Sequence, residues 1–468
     1  MTSAAKNSLG STANNSPNSS SSRMPLGGGL VRDLERRVRE AQSLWHAPAV
    51  SAGIVRDGAL VWSTHVGSAR LDPVATPTDD TQYMIGSITK TFTAVLIMAL
   101  RDAGRLSLDD RLETYLPQTR HGAVTIRSML AHASGLQREP VGRIWESLDA
   151  PDQERLIREL EDAEQVLPVH FAFHYSNLAF ALLGQIVEQL EGRPWRDVVT
   201  DRILAPLEMK NTALAPDDAA RALGYQVHPH TGVATLEPVF ELKATAPLGG
   251  LWSTVADMCR YAAFVADPVE EILSPDTMDE MCRPVIMTDV EGWSRAYGLG
   301  YDMQRTGERV LVGHGGGMPG FLSGLRVRRQ DRVGAVAFAN STAGAENTVL
   351  AGQLVNAVLD AEPSLAPVWT PSQPQPELDG ILGSWWTEGE EIVLEVRDNV
   401  LWSRIPGGLP LADTRFARVD RDRFRAVAGR ERGELLEITR GLGGDIERMH
   451  FATYALTRTP TAFANLLD

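Results

Sequence analysis

Cysteine and long apolar runs are both scarce in this chain. Cys259 and Cys282 are the only cysteines in 468 residues, so a disulfide framework is excluded and a reducing, cytoplasmic location is expected. The longest apolar run, AVLIMAL at residues 94–100, is much shorter than the about 20 residues that a membrane-spanning helix needs. We therefore expect no membrane partner.

Positive charge is also in deficit. The 45 Lys and Arg residues face 60 Asp and Glu residues, a net charge of −15, which argues against nucleic-acid partners. No serine has glycine at both −2 and +2, which excludes the nucleophile elbow of α/β-hydrolases. Two histidine pairs, His170 with His174 and His228 with His230, lack further ligands nearby, so we expect neither a metal nor a cofactor.

Composition divides the chain into four segments. Residues 1–28 are rich in Ser and Asn and predict a disordered tail, whereas residues 29–361 mix helical and strand patterns. Five prolines mark residues 362–377 as a linker. Residues 378–468 alternate short apolar runs with Gly and Asp turns, which predicts a small antiparallel β-barrel or sandwich.

The large segment has strand patterns at both ends and helical patterns between them. Residues 50–69 form a hairpin pattern around Asp57-Gly58, and residues 309–340 contain three strand-like runs before a helical run at 347–361. This order predicts an α+β fold in which distant parts of the chain close one antiparallel sheet beside an all-helical region. Residues 152–167 predict a solvated amphipathic helix that flanks the cleft.

The stretch GSITK at residues 86–90 carries the strongest chemical signal. An apolar stripe follows it as far as Gly104, so Ser87 is expected in the first turn of a helix, where free N–H groups stabilise negative charge. Lys90 lies three residues later on the same face and can reach the Ser87 hydroxyl. A lysine whose pKa is lowered by burial can act as the base that activates a serine.

Three motifs in order resemble one known family. Ser87-Ile88-Thr89-Lys90, Tyr175-Ser176-Asn177 and His314-Gly315-Gly316 are similar to the motifs of serine β-lactamase-like hydrolases. That family includes class C β-lactamases, D-Ala-D-Ala carboxypeptidases, D-stereospecific aminopeptidases and esterases. The resemblance spans about residues 45–345 and implies a β-lactamase-like fold for the large segment.

The resemblance also implies roles for the motif residues. Tyr175 would share one proton with Lys90 and serve as base and then as acid, and Asn177 would orient Lys90 and the substrate carbonyl. The N–H groups of Ser87 and Gly317 would form the oxyanion hole, on an edge strand where Gly316 lets the substrate approach the backbone. From the residues alone, Tyr175 could equally be a packed aromatic side chain and Asn177 a helix cap.

His314 departs from the Lys-Thr-Gly that many members of the family carry. A neutral imidazole with one donor replaces a fixed cation, which disfavours efficient β-lactam turnover. With a pKa of about 6.5, His314 would gain charge as the pH falls toward 6, and anionic substrates would then be turned over faster.

These observations together predict a serine hydrolase that forms an acyl-enzyme on Ser87 and acts on a small ester, amide or short peptide. Acyl transfer from the same intermediate, and a non-catalytic scaffold or sensor on this fold, remain as alternatives. The sequence predicts neither the natural substrate nor its stereochemistry, neither the oligomeric state nor the role of the C-terminal domain.

Overall fold

The computed structural model describes residues 26–363, 368–371, 373–408 and 413–462. The chain divides into two compact units, Met1–Ser364 and Leu365–Asp468. Most of the predicted tail, residues 1–25, lies outside the described residues. Its last residues differ from the prediction, because Leu26 packs into an apolar core and a helix begins at Gly28.

The first unit contains helices on both sides of a sheet. They are α1 Gly28–Trp45, α2 Thr89–Asp102, α3 Leu112–Tyr115, α4 Ile126–Leu130, α5 Ile144–Ser147, α6 Gln153–Arg158, α7 Asn177–Glu191, α8 Trp195–Val199, α9 Val255–Ala266, α10 Pro275–Met281 and α11 Asn347–Ala361. The strands are β1 Ala49–Arg56, β2 Ala59–Gly67, β3 Arg70–Leu71, β4 Val74–Ala75, β5 Tyr83–Met84, β6 Tyr225–Val227, β7 Ala234–Leu236, β8 Trp252–Ser253, β9 Ile286–Met287, β10 Arg295–Tyr297, β11 Asp302–Thr306, β12 Arg309–Met318, β13 Phe321–Arg328 and β14 Val333–Ala339.

Eight of these strands form one antiparallel sheet in the order β2-β1-β14-β13-β12-β11-β10-β9. The predicted hairpin is present, and β1 pairs with β14 so that Val50 lies opposite Ala339. The two ends of the segment therefore close one sheet, as the sequence pattern predicts. Helices α1 and α11 pack on one face of it, and α9 packs against β1 and β14.

The helical region lies in the middle of the chain, where α2 and α7 are almost entirely buried. The predicted helix over residues 152–167 is too long. Helix α6 ends at Arg158, and a 3₁₀ turn follows at Glu159–Glu161. Residues 164–166 are not helical, because the backbone N–H of Val166 donates to the Gly135 carbonyl and that of Gln137 donates to the Glu164 carbonyl in a β-bridge.

The second unit is an eight-stranded antiparallel meander. Its strands are β15 Gly383–Thr387, β16 Glu390–Arg397, β17 Val400–Arg404, β18 Thr414–Arg418, β19 Arg423–Ala428, β20 Leu435–Arg440, β21 Ile446–Phe451 and β22 Tyr454–Leu456, each paired with the next. Trp386 and Thr457 exchange two backbone hydrogen bonds, which brings the first and last strands together. The sheet is a nearly closed barrel around its own apolar core, so the predicted α+β fold with a small β-domain is confirmed.

Within the described ranges no helix combines the length and apolar character that crossing a bilayer requires. Both cysteines are free thiols; Cys259 is buried and Cys282 is partly buried.

Candidate active site

Ser87 lies in a tight turn that the sequence pattern places only approximately. Gly86–Ile88 form one turn of 3₁₀-helix, and α2 begins immediately after it at Thr89. Gly86 has φ +52°, and a Cβ at this position would lie 2.7 Å from the backbone nitrogen of Gly317. Only glycine allows the turn that carries Ser87 to approach strand β12 so closely.

Lys90 is fully buried beside the Ser87 hydroxyl. Its Nζ lies 3.1 Å from Ser87 Oγ and donates to the carbonyl of Leu248 at 2.6 Å. Burial lowers the pKa of the Lys90 amine well below its ordinary value, against the smaller opposing effect of Glu139. This lowering favours the uncharged form of the amine, which is the form with a lone pair that can accept a proton.

Tyr175 lies over the same pair. Its ring centroid is 5.1 Å from Lys90 Nζ, and its hydroxyl forms a hydrogen bond with Ser87. Burial raises the pKa of the phenol, an effect that the bond with Ser87 only partly offsets. Both shifts favour the arrangement in which Tyr175 keeps its proton and the Lys90 amine is uncharged.

Asn177 does not cap helix α7, because its neighbour Ser176 does. The Ser176 hydroxyl accepts from the N–H of Ala179 at 3.0 Å and so caps α7. The Asn177 amide donates to both carboxylate oxygens of Glu139, at 2.8 and 3.0 Å. Its Oδ1 is buried without a partner among the described residues, and the predicted contact with Lys90 is replaced by the bond from Lys90 to Leu248.

An edge strand is expected from the sequence at this position. In the structure, however, β12 is not at the edge of the sheet, because β11 lies beside it. Its pairing with β11 ends at Gly313, however, so residues 314–318 are paired only with β13 and present a local free edge. A Cβ on Gly316 would lie 2.0 Å from the Ile85 carbonyl oxygen. The free edge is thus held directly against the turn that carries Ser87, with Gly317 at the cleft.

His314 is buried and uses both ring nitrogens within the protein. Because a carbonyl can only accept, Nδ1 donates to the Gly315 oxygen at 2.5 Å, and Nε2 therefore accepts from the Tyr297 hydroxyl at 2.9 Å. Burial lowers the pKa of His314 to about 4, although Asp302 acts in the opposite direction. This corrects two expectations: the imidazole offers no free donor to a substrate, and it does not gain charge near pH 6.

A cavity of about 770 Å³ joins these groups. Ser87, Tyr175, Asn177, His314, Gly316 and Gly317 all line it, together with side chains that no motif indicates, namely Arg138, Glu139, Trp145, Glu346 and Asn347. Arg138 and Glu139 come one residue after the stretch MLAHASGL, and that proximity is the only sequence signal for them. No group of three or more possible metal ligands occurs in the part of the chain that the structure describes.

The fold and the Ser87–Lys90–Tyr175 arrangement are those of a β-lactamase-like serine hydrolase. A model of the family described as Beta-lactamase matches residues 34–359, and the chain belongs to this family of serine hydrolases, peptidases and amidases. A second model, described as a domain of unknown function (DUF7586), matches residues 374–458.

Individual proteins of several kinds are similar to this chain. Beta-lactamase-like protein 2 of Dictyostelium discoideum is 34% identical in an alignment of 267 positions that covers 54% of this chain and 48% of that protein, so the chain spans about half of that relative. A D-aminopeptidase of Brucella canis is 26% identical over 78% of this chain and 68% of its own length. The octameric penicillin-binding protein homologue from Pyrococcus abyssi shares the fold, with a TM-score of 0.64, 24% identity and coverage of 91% of this chain and 99% of that one.

Proposed function

We propose that this protein hydrolyses amides or esters of small amine-bearing molecules through an acyl-enzyme on Ser87. One observation carries the proposal: the fully buried amine of Lys90 lies 3.1 Å from Ser87 Oγ, and burial lowers its pKa well below the ordinary value. A serine becomes a nucleophile when a base within hydrogen-bond reach takes its proton. A lysine kept for packing alone would be a costly choice at a fully buried position.

The steps follow from the positions of the groups. Lys90 takes the Ser87 proton as Oγ attacks the substrate carbonyl, and the oxyanion is stabilised by the N–H groups of Ser87 and Gly317. The bond to the leaving group then breaks, the leaving group takes the Tyr175 proton, and Lys90 returns its own proton to Tyr175. Water attacks the ester on Ser87 by the same route and releases the acid.

Charge in the cavity favours a substrate with a free amino group. The cavity has two carboxylates, those of Glu139 and Glu346, and one cation, Arg138. Arg138 Nε lies 3.3 Å from Glu139 Oε1. His314 is neutral, so no unpaired cation among the cavity residues is available for a substrate carboxylate. The similarity to a D-aminopeptidase supports the same substrate class and suggests D-configured amino acids at the acyl end.

A substrate panel tests the proposal. We would compare D- and L-amino acid p-nitroanilides with their N-acetylated forms, and add p-nitrophenyl butyrate and nitrocefin. We expect the free amine to be preferred by about ten- to a hundredfold in kcat/KM, as one charge-assisted contact implies. Equal rates with and without the acetyl group would refute amine recognition, while the Ser87→Ala protein reports separately on the acyl-enzyme.

Acyl transfer uses the same intermediate and is measured in the same experiment. Added amines or alcohols would compete with water for the acyl group. We expect the free acid to remain the main product, and a predominant amide or ester product would make the protein an acyltransferase.

A further inference from the structure

His132 lies beside the active site without belonging to any of the three motifs. It follows α4 in the stretch MLAHASGL and is fully buried. Its ring centroid lies 4.2 Å from that of Tyr175, and the two rings are tilted by 33°. Tyr297 and Phe173 make edge-to-face contacts with the same imidazole, and their ring centroids lie 4.8 and 5.8 Å from its centroid.

Two hydrogen bonds join His132 to the residues on either side of Tyr175. The N–H of His174 donates to the His132 carbonyl at 2.8 Å, and the N–H of Ser176 donates to His132 Nδ1 at 3.0 Å. One residue thus fixes the backbone before and after Tyr175 and also contacts its ring. The direction of the phenol toward Ser87 depends on both features.

The charge and tautomer of His132 follow from these contacts. Because Nδ1 accepts a hydrogen bond, the ring proton is on Nε2. Burial lowers the pKa of His132 well below its ordinary value, and the charge of Arg138 acts in the same direction. The imidazole is therefore neutral.

The Nε2–H group has no partner among the described residues. A buried, unpaired N–H is unfavourable, so an apolar side chain would serve better if His132 only filled space. The acceptor at Nδ1 is the feature that such a side chain could not supply.

We propose that His132 is a positioning residue that holds the Tyr175 phenol where it can protonate the leaving group. This inference rests on the proposed acyl-enzyme mechanism. It makes a specific claim about substrates: leaving groups that need a proton depend on His132, whereas those that leave as stable anions depend on it much less.

The test uses full-length protein and two substrates with the same acyl group, a p-nitrophenyl ester and a simple alkyl amide. His132→Leu removes the acceptor, His132→Asn keeps an acceptor near the Nδ1 position, and His132→Gln places one near Nε2. His121→Leu is the matched control, because the His121 side chain also makes one hydrogen bond to the backbone, there donating Nε2–H to the carbonyl of Ala163 at 2.7 Å, and does not line the cavity.

We expect His132→Leu and His132→Gln to lose about a hundredfold in kcat/KM on the amide and less than about tenfold on the ester, because kcat/KM reports acylation, the step in which the two leaving groups differ. His132→Asn should stay within about fivefold of wild type on both substrates. Equal losses on the two substrates, or no rescue by Asn relative to Gln, would show that His132 is merely structural and would overturn the inference.

Two controls keep the result interpretable. If His132→Leu does not fold, the comparison of the Asn and Gln variants still decides the question. If Ser87→Ala keeps its activity, the acyl-enzyme mechanism itself fails, an outcome distinct from an unchanged ester-to-amide ratio in the His132 variants.

Discussion

Both units of this protein are built on an eight-stranded antiparallel sheet, but the candidate active site belongs to the first. In the first sheet, strands from opposite ends of the segment pair, as Val50 does with Ala339. In the second sheet, every strand pairs with its neighbour in the chain, and β15 meets β22. The two sheets therefore have the same number of strands but different free edges.

The two sheets differ in whether a backbone edge is left free beside the candidate active site. Strand β11 leaves β12 after Gly313, and the free edge of residues 314–318 meets the Ser87 turn, which the helical region carries. In the barrel, closure uses the edges of the first and last strands. A free backbone edge is a binding surface for another chain or a substrate, and a closed sheet offers none.

The largest effect should come from removing the base beside the free edge. Lys90→Met keeps most of the buried volume but has no lone pair that could take the Ser87 proton, so kcat should fall at least about 10³-fold. The control is Lys243→Met, which removes an exposed lysine paired with Asp149. A Lys90→Met protein within tenfold of wild type would refute the assignment of the base.

The next effect concerns acid stability, which should differ between the two units. The pKa of His314 falls from 6.5 to about 4 on folding, so the unfolded chain binds this proton first and stability declines as the pH drops through that window. This difference corresponds to on the order of 3 kcal/mol for the first unit. The second unit has one histidine, His450, and it is only partly buried.

Denaturant unfolding at pH 6.5 and 4.5 measures this effect. We expect His314→Gln to lose less free energy of unfolding between the two pH values than wild type does. Equal losses of unfolding free energy between the two pH values in both proteins would mean that His314 is not buried as a neutral group.

A smaller effect is expected when the contact between strand and turn is disturbed. Gly316→Ala places a Cβ 2.0 Å from the Ile85 carbonyl, so β12 must move away from the turn, and kcat should fall about a hundredfold. Gly352→Ala in α11 is the control, because its Cβ would have only an ordinary contact at 3.5 Å. If both variants keep wild-type kcat, the free edge does not form part of the site.

The smallest effect is expected from removing the barrel. A chain of residues 26–363 keeps the contacts of the Glu362 carboxylate with the Gly27 N–H at 2.9 Å and with Arg56 at 2.8 Å. Its kcat/KM should remain within about threefold of the full chain, because compact units with their own cores usually fold alone. Aggregation of this chain would mean that the first unit depends on the barrel.

Regular patterns in the sequence predicted much of this structure. The β1–β2 hairpin, the three late strands and α11 follow local periodicity, and so does most of the barrel. Strands β15 and β18 were not predicted, because each has only two apolar residues in five, whereas β17, which has the same length, has three. The pattern at residues 449–458 predicts one continuous strand, but a turn at Ala452, with φ +54°, divides it into β21 and β22.

The site was predictable only as far as its motifs extend. Motifs indicate Ser87, Lys90 and Tyr175, whereas the environment of His314 depends on Tyr297, which no local pattern connects to it. The contact between Glu139 and Asn177 likewise joins residues from separate segments. Such partners, and the pKa values that burial changes, arise only from the tertiary fold.

The central claim is that Ser87 becomes acylated because Lys90 activates it. The most direct measurement is to label the protein with a fluorophosphonate and to locate the added mass by peptide mass spectrometry. We predict one adduct on the peptide that carries Ser87, none in Ser87→Ala, and labelling slowed at least about 10³-fold in Lys90→Met. An adduct on another serine, or none on a folded wild-type protein, would contradict the account.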